Sequence, residues 1–461
     1  AASPVYPDPP TMPHDTLDLI IHGGTVIDGT RAPRFDADVG LRDGRIAALG
    51  DLSQHPARER VDATGLIVAP GFIDAHTHDD TALLGSPDMT FKVSQGVTTV
   101  IAGNCGISAA PLPADRAMPS PLDLLSTGPG TRFDRMAAYF DAYEARPAAV
   151  NVAALAGHTS LRACTMDRFD RAATGDEIAA MHALLAQAMD DGAIGLSAGT
   201  YYPPAAHAPT EEIIAVGRAM TGRGGLYVTH MRDESDRVME SLDESFRIGR
   251  EIDVPVVISH HKLSGKANFG RSKETLGLLK RTMACQCVGL DCYPYTAGST
   301  MIQAERAMLD SRMVIASSVP HPECVGREIT DIAAEWGVAK DEAARRLQPG
   351  SAIYFLMDEA DVRDIMAFDA TMIGSDGIPL GDKPHPRLWG TFPRVLGHYS
   401  RDVGLFSLET AVHKMTGLTA RNFGLKDRGE LRVGAFADVT LFDPATVIDR
   451  ADFKNPTQPS A

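Results

Sequence analysis

The sequence predicts an α/β protein built on a metal-dependent (β/α)8 TIM barrel, with a small β-sandwich domain formed from both chain ends. Eight apolar segments with strand character lie in the central part of the chain, and amphipathic helical stretches separate most of them. Short alternating segments and turn residues mark both ends. Metal-binding residue types follow several central strands, which suits a barrel whose chemistry lies at the carboxyl ends of its strands.

The two ends of the chain share one pattern. Residues 1–14 are Pro-rich, and we expect them to form a disordered arm. Residues 15–65 contain short alternating segments, and an Asp-Gly pair between two of them predicts a β-hairpin. Similar segments return in residues 425–461. We therefore expect 15–65 and 425–461 to form one small β domain, with residues 66–424 inserted as the catalytic barrel.

Eight segments are candidates for the barrel strands. They are residues 66–73, 97–102, 150–156, 193–198, 226–229, 255–259, 287–291 and 370–374. Helical periodicity lies between them, for example in residues 176–191, 210–223 and 237–253. The interval between the last two strands is too long for one helix, so we expect residues 299–355 to form an inserted subdomain or lid. An open doubly wound sheet is the alternative, but no Gly-rich nucleotide-binding loop follows an early strand.

Composition excludes several classes of protein. The 461 residues carry a net charge of −16 without a basic stretch, which argues against nucleic-acid binding. No apolar run approaches the ~20 residues that a membrane span requires. The six cysteines are spread along the chain, so no disulfide framework is indicated and a cytoplasmic location is the simplest. We expect a small-molecule substrate, and the sequence leaves the oligomeric state open, a monomer included.

The strongest functional pattern is the pair His76 and His78 at the end of the first barrel strand. Residues two apart in a strand point to the same face, so both imidazoles converge on one point, which suits a transition metal. The second, fifth, sixth and eighth strands are followed in order by Cys105, His230, His260 and Asp376. Each residue alone is more often structural. Together at one end of a barrel they predict a full zinc site and a second, weaker one.

This arrangement resembles the amidohydrolase superfamily. Many of its members carry a carbamylated lysine on the fourth strand, but residues 193–199 contain no lysine. The thiolate of Cys105 can take the same electrostatic role, and this variation resembles the D-aminoacylase family. The matching segments are residues 71–80, 96–111, 229–234, 258–262, 293–301 and 373–394. The family pattern continues beyond Ala461, where this chain ends, with a closing strand of the small domain.

The resemblance implies a role for each candidate. The tightly bound zinc would have the ligands Cys105, His230 and His260. The weaker site would have the ligands His76, His78 and Asp376. Asp376 would also act as the general base and then return the proton to the departing amine, because an amine leaves poorly as an anion.

The resemblance also implies N-acyl-D-amino acids as substrates, which are hydrolysed to a carboxylate and a free D-amino acid. Arg387 would bind the α-carboxylate, since a guanidinium matches a carboxylate in two hydrogen bonds, and Lys262 would help. A tyrosine hydroxyl would assist at the amide carbonyl, with Tyr293 the better candidate and Tyr202 the second. Ser299 completes the predicted substrate-binding residues.

The substrate side chain is the least determined feature. Four methionines lie in or beside the expected lid: Met301, Met308, Met313 and Met357. They favour apolar side chains such as methionine, leucine or phenylalanine. N-acyl-D-glutamate or N-acyl-D-aspartate is the alternative, and it requires an extra cation. The arginines available for this are Arg306, Arg312 and Arg363.

Two further hypotheses come from other classes. A cyclic amidase, such as a dihydroorotase or hydantoinase, shares the barrel and the metal chemistry but predicts the carbamylated lysine that the fourth strand lacks. A non-enzymatic scaffold would have lost metal ligands, whereas all six ligand candidates are present here. Both hypotheses are therefore less favoured than a deacylase.

Overall fold

The computed structural model describes residues 16–116, 118–125, 130–304, 306–381 and 383–460. The predicted N-terminal arm, residues 1–14, lies outside the described residues. The described part is a mixed α/β protein, with parallel sheets at its centre and three further sheets around them. None of its helices has the length and apolar character needed to cross a membrane.

The elements of the described residues are numbered along the chain. The strands are β1 (Leu17–His22), β2 (Thr25–Val26), β3 (Phe35–Asp36), β4 (Asp38–Arg42), β5 (Arg45–Gly50), β6 (Ala57–Asp62), β7 (Ile67–Pro70), β8 (Phe72–Asp74), β9 (Val97–Ala102), β10 (Asn151–Ala154), β11 (Ala156–Gly157), β12 (Gly195–Gly199), β13 (Leu226–His230), β14 (Val256–Ile258), β15 (Val288–Cys292), β16 (Ala297–Met301), β17 (Arg312–Ser318), β18 (Gly350–Phe355), β19 (Thr371–Ile373) and β20 (Val439–Phe442). The helices are α1 (Ala82–Gly85), α2 (Thr90–Val93), α3 (Met136–Ala145), α4 (His158–Thr165), α5 (Gly175–Asp190), α6 (Pro203–Ala206), α7 (Thr210–Gly217), α8 (Val238–Ile252), α9 (Ser272–Met283), α10 (Arg306–Leu309), α11 (Ile329–Trp336), α12 (Lys340–Leu347), α13 (Glu359–Ala367), α14 (Arg387–Arg394), α15 (Leu408–Met415) and α16 (Gly417–Asn422). A π-helical segment, Val395–Asp402, continues α14.

Parallel strands form the centre of the molecule. β8, β9 and β10 pair in one sheet, and β11 to β15 followed by β19 pair in a second one. Only Leu155 separates β10 from β11. At the other edge, the amide of Ala75 donates to the carbonyl of Ile373 over 3.3 Å, and Thr77 forms a parallel bridge with Gly377. β8 therefore lies beside β19, and the carboxyl ends of all these strands face the same side.

The predicted strand 66–73 is divided in the structure. β7 pairs with β2 and β20 in an outer sheet, whereas β8 enters the central sheet. Gly71 lies between them, and a Cβ there would be 2.2 Å from Oγ1 of Thr98 on β9, so glycine alone allows this close passage. The sequence did not reveal the division because β7 and β8 are both apolar and fully buried.

The chain ends supply two four-stranded sheets, in the orders β5-β4-β1-β6 and β20-β7-β2-β3. Buried side chains of both sheets share one apolar cluster, with Ile21 and Val39 from the first and Val26 and Val68 from the second. β20 is antiparallel to β7, and Leu441 faces Val68. The C-terminal segment thus completes a sheet that the N-terminal segment begins.

Residues 297–355 form an insertion between β15 and β19. β16, β18 and β17 make an antiparallel sheet, and α11 and α12 pack against it. The insertion has an apolar cluster of its own, which includes Ile315, Ile332 and Leu347. Met313 is buried in that cluster, so it belongs to the core of the insertion and not to a substrate pocket as the sequence had suggested.

Candidate metal centre

Three of the predicted metal ligands surround the thiol of Cys105, which is itself a fourth. Its Sγ lies 3.2 Å from Nε2 of His76 and 3.4 Å from Nε2 of His260. The same Sγ lies 3.7 Å from Nδ1 of His230. Ligand atoms of a tetrahedral zinc ion are about 3.5 Å apart, given metal–ligand bonds of about 2.0–2.3 Å. Cys105, His230 and His260 therefore fit a zinc ion in their separations and in their chemistry.

The remaining two predicted ligands lie on the other side of His76. Oδ1 of Asp376 is 3.3 Å from Nε2 of His78 and 3.6 Å from Nε2 of His76. The ligand atoms of His76, His78 and Cys105 lie within 4.8 Å of one another, as do those of Cys105, His230 and His260. Cys105 belongs to both groups of candidate ligands.

Buried carboxylates stand behind the imidazoles. Oδ2 of Asp291 is 3.6 Å from Nδ1 of His76, and Oε2 of Glu234 is 3.5 Å from Nε2 of His230. Oε1 of Glu234 is 3.0 Å from Nδ1 of His260. Histidines that bind a metal through one ring nitrogen commonly present the other to a carboxylate, which fixes the tautomer. The carboxylates of Asp291 and Glu234 therefore give these histidines an environment that is typical of metal ligands.

Three of the candidate ligands have a backbone conformation that side chains rarely adopt. The φ angles of Cys105, His260 and Asp376 are 55°, 34° and 49°. Each residue follows the end of a central strand, where the chain turns sharply toward the site. A left-handed residue other than glycine costs about 1–2 kcal/mol, and such strain gathers at functional sites.

Charge is concentrated at this buried site. Burial opposes ionisation of Cys105, but His76 and His260 hold the pKa of its thiol well below the usual range. Burial also opposes ionisation of Asp376, and Arg387 together with His78 holds the pKa of that carboxyl well below its usual range. Both shifts favour the anionic forms of the thiol and the carboxyl, which are the forms that bind a metal.

A cavity of about 410 Å³ opens beside the ligands. Lys262, Tyr202, Tyr293 and Ser299 line it, together with Asp376. Burial raises the pKa of Tyr293 to about 12, so its hydroxyl keeps its proton at neutral pH. That hydroxyl is buried and has no hydrogen-bond partner within the described part of the chain.

Arg387 is paired with the candidate base in this structure. Its side chain is fully buried, with Nη1 2.9 Å from Oδ2 of Asp376 and Nη2 donating to the carbonyl of Ser299 over 3.1 Å. Its guanidinium lies over the ring of Tyr293, 4.6 Å from the centroid. Lys262 is also engaged, because its Nζ lies 2.7 Å and 2.8 Å from the two carboxylate oxygens of Glu234.

The sequence did not identify the supporting acids. Glu234 lies in one of the segments that matched the family, but nothing in its spacing separates it from a surface acid. Asp291 could have been recognised from the sequence, because it is an acid inside the apolar strand β15 and a buried acid requires a partner. Nothing in the sequence marked Lys92 as buried, since one lysine in a short helix is ordinarily exposed. In the structure it lies behind the site with Asp74 and Asp79.

Part of the cavity lining is apolar. It includes Met301 from β16, Met308 from α10, and Leu356 and Met357 just after β18, and these four residues are called the apolar wall. Arg312 and Arg363 do not line it, and they pair with Glu328 and Glu359 instead. The side chain of Arg306 lies outside the described part of the chain.

Comparison with known proteins gives concordant results. Residues 59–274 and 324–461 match the model of the amidohydrolase family. A D-aminoacylase of Alcaligenes xylosoxydans xylosoxydans is 59% identical over 445 residues, which cover 96% of this chain and 92% of that protein. A solved D-aminoacylase structure superposes with a TM-score of 0.95 at 59% identity, covering 96% of this chain and 94% of that one. A binuclear metal centre, with one-metal activation and second-metal attenuation, is described for that enzyme.

A second solved structure adds a related activity. It is an N-acyl-D-glutamate deacylase from Bordetella bronchiseptica, in complex with zinc and a phosphonate inhibitor that mimics the tetrahedral intermediate. It is 48% identical, has a TM-score of 0.93, and is matched over 97% of this chain and 94% of its own. Both similarities extend over nearly the whole chain.

Proposed function

The chain belongs to the amidohydrolase family, and on this premise we propose that it is a zinc-dependent D-aminoacylase. It would hydrolyse the amide bond of N-acyl-D-amino acids to a carboxylate and a free D-amino acid. The observation that carries the proposal is the cluster of Cys105, His76, His230 and His260 at the mouth of a cavity that also presents Asp376.

We propose one tight zinc site and a second, weaker one. The tight site has the ligands Cys105, His230 and His260. The weaker site has the ligands His76, His78 and Asp376. When bound, zinc supplies Lewis acidity, which activates a water molecule at neutral pH and polarises the amide carbonyl.

The side chains of the protein provide the proton transfers. Asp376 accepts a proton from the attacking water and then donates it to the amine nitrogen as the bond to the acyl carbon breaks. Its position at the cavity, with the anionic carboxylate held beside Arg387 and His78, supports this role. The hydroxyl of Tyr293 keeps its proton and is placed to donate a hydrogen bond to the developing oxyanion, with Tyr202 nearby as the second candidate.

We propose that Arg387, Lys262 and Ser299 recognise the α-carboxylate. Arg387 has its Nη1 against Asp376 in the structure, so a carboxylate substrate would engage the same guanidinium while Asp376 turns toward the water. The amide would then lie at the metal ligands and the side chain against the apolar wall. When the α-carboxylate, the amide and the side chain each have a fixed place, only one configuration at the α-carbon fits. This is a physical basis for selecting one enantiomer, which we propose is the D-enantiomer.

The lining of the cavity supports apolar side chains such as methionine, leucine and phenylalanine. Four of its residues, Met301, Met308, Leu356 and Met357, are apolar, and methionine adapts to varied shapes. The alternative, a D-glutamate or D-aspartate deacylase, needs a cation at this wall. Lys262 is the cation that lines the described cavity, and it is paired with Glu234.

We propose that the eight parallel strands close into a (β/α)8 barrel with the chain ends as a small β-sandwich domain. The hydrogen bond from Ala75 to Ile373 and the bridge between Thr77 and Gly377 support the closure. Residues 66–424 would be the barrel and 299–355 its lid. The cytoplasmic location stays a prediction, and the oligomeric state stays open.

A cyclic amidase is less well supported. That class resembles this protein in fold, but β12, whose sequence is Gly-Leu-Ser-Ala-Gly, has no lysine for carbamylation. Hydrolysis of dihydroorotate or hydantoin by the zinc-loaded protein would favour it.

The proposal is tested by measuring amine release from three substrates by the zinc-loaded protein. They are N-acetyl-D-methionine, its L-enantiomer and N-acetyl-D-glutamate. We expect fast release from the D-methionine compound alone. Preference for the D-glutamate compound would contradict the apolar assignment, and equal rates with both methionine enantiomers would contradict D-selectivity.

A further inference from the structure

A fully buried lysine lies behind the proposed catalytic site. Nζ of Lys92 is 2.6 Å from Oδ2 of Asp74 and 3.2 Å from Oδ2 of Asp79. It also donates to Oγ of Ser375 over 2.9 Å. The lysine and both aspartates are buried, and Lys92 lines none of the cavities described for the chain. A charge this deep is held only when its partners are close and well placed.

The partners of Lys92 connect the ends of two strands. Oδ1 of Asp74, the last residue of β8, accepts from the amide of Ser375 over 2.7 Å and from the amide of His76 over 3.3 Å. Oγ of Ser375 accepts from the amide of Gly377 over 3.1 Å. Lys92 and its partners therefore hold the residues on both sides of Asp376.

Asp376 requires such support. Its φ angle is 49°, which is left-handed, and its amide donates to the carbonyl of His76 over 2.8 Å. A strained conformation persists only where its surroundings determine it. Bonds from backbone amides to Asp74 and Ser375 also fix the turn, and Nζ of Lys92 donates to both of these side chains.

We propose that Lys92 is a positioning residue, which acts through Asp74 and Ser375 to hold the backbone turn at Asp376, so that its carboxylate can reach the attacking water. This inference rests on the proposed function, because it assumes that Asp376 is the general base. Lys92 contacts neither the cavity nor the side chains of the candidate metal ligands. We therefore expect its loss to lower kcat and to change substrate affinity little.

The test compares three variants of the zinc-loaded protein with N-acetyl-D-methionine as substrate. Lys92→Met removes the charge at similar length, and Ser375→Ala removes only the bridging hydroxyl. Lys414→Met is the matched control, because Lys414 is a buried lysine whose Nζ donates to the carbonyl of Thr371 over 3.2 Å, at the opposite end of β19. It tests whether loss of any buried lysine beside this strand has the same effect.

We expect kcat to fall by at least about tenfold in Lys92→Met and in Ser375→Ala, since a misplaced group of this kind costs about 10- to 100-fold. KM and zinc content should stay within about twofold of the wild type, because neither residue binds substrate or metal. Lys414→Met should keep the wild-type kcat even where its melting temperature falls.

Two results would overturn the inference. Wild-type kcat in Ser375→Ala and in Lys92→Met would overturn the inference, and Ser375→Ala alone decides it if Lys92→Met does not fold. A matching fall of kcat in Lys414→Met would also overturn it, since the effect would then be general. Asp376→Asn is measured alongside: an inactive Asp376→Asn with active Lys92→Met leaves the proposed function standing and removes only this inference.

Discussion

At the scale of single residues, the site concentrates features that folding alone does not favour. Cys105, His260 and Asp376 have left-handed backbones, and the thiol and the carboxylate among them are buried as anions. Each would destabilise the fold without a partner. The compensating groups are the neighbouring imidazoles and Arg387, to which the proposed zinc would add. The chemistry and the stability of this region therefore depend on the same contacts.

Asp376→Asn tests the proton-transfer role. Asparagine has nearly the same shape and tolerates the left-handed conformation, so the fold should be kept. We expect kcat to fall by about 10²- to 10⁴-fold, the contribution of a general base. The measurement is the steady-state rate with N-acetyl-D-methionine, with the zinc content of the variant as control. A variant that binds zinc and keeps more than about a tenth of the wild-type kcat would contradict the assignment.

The residues that sequence reasoning reached and those it missed differ physically. His76, His78, Cys105, His230 and Asp376 could be proposed because each lies at the end of an apolar strand or shortly after it, and parallel strands bring such ends together. Glu234 and Lys92 could not, because their contacts depend on burial and on partners far away in the sequence, such as Ser375 for Lys92. The engagement of Arg387 with Asp376 also depends on how the strand ends turn.

At the scale of elements, strands were easier to predict than their boundaries. β9 has the predicted bounds, and β12 to β15 differ from the predicted ones by one or two residues. The exception is the segment at Pro70 and Gly71, where two buried strands follow each other in different sheets. An apolar run indicates that a segment is buried, but it does not indicate which strand the segment pairs with.

A buried ion cluster joins α7 to α4. The carboxylate of Glu212 is 3.2 Å from Nε2 of His158 and pairs with Arg162. Burial raises the pKa of Glu212, but the contacts with His158, the amide of Ala173 and Arg162 outweigh it and lower the pKa from 4.5 to about 2. The unfolded chain binds a proton first as the pH falls, so this carboxylate stabilises the fold above about pH 4.5 and loses its contribution toward pH 2.

Glu212→Gln should therefore lower the melting temperature at pH 7, with a loss of at most about 3 kcal/mol of stability. The difference between wild type and variant should shrink as the pH falls below about 4.5, because the wild type loses the same contribution. Thermal unfolding followed by circular dichroism from pH 7 to pH 3.5 measures both curves. A difference that stays constant over this range would contradict the role of the ionised carboxylate.

The insertion is expected to set the side-chain preference. Leu356 lies in the apolar wall of the cavity, just after β18. Leu356→Arg places a cation there, which favours an acidic side chain and disfavours an apolar one. We expect the ratio of kcat/KM for N-acetyl-D-glutamate to that for N-acetyl-D-methionine to rise by at least about tenfold, the effect of about 1.4 kcal/mol. Leu356→Met is the size-matched control and should leave the ratio near the wild-type value.

An unchanged ratio in Leu356→Arg, with the protein folded and zinc-loaded, would show that the substrate side chain does not face this wall. The apolar preference would then need another explanation.

At the scale of the whole molecule, the sheets of the chain ends and the central strands that position the candidate site are separate parts of the architecture. The chain ends form two sheets that share one apolar cluster, while the central parallel strands bring the candidate ligands to a single side. The protein carries a net charge of −16, yet Lys262 lines the cavity and Arg387 lies behind it against Asp376, each paired with an acid. Substrate carboxylates are therefore expected to be recognised by local cations within a protein that otherwise repels anions.

The central claim, that hydrolysis depends on zinc at Cys105, His230 and His260, is tested most directly by titration. The protein is freed of metal with a chelator, and zinc is added back in steps while amine release from N-acetyl-D-methionine is measured. We predict no turnover without metal and a rise that is complete near one zinc per chain. Full activity of the metal-free protein, or a rise that is unchanged in Cys105→Ala, would contradict the account.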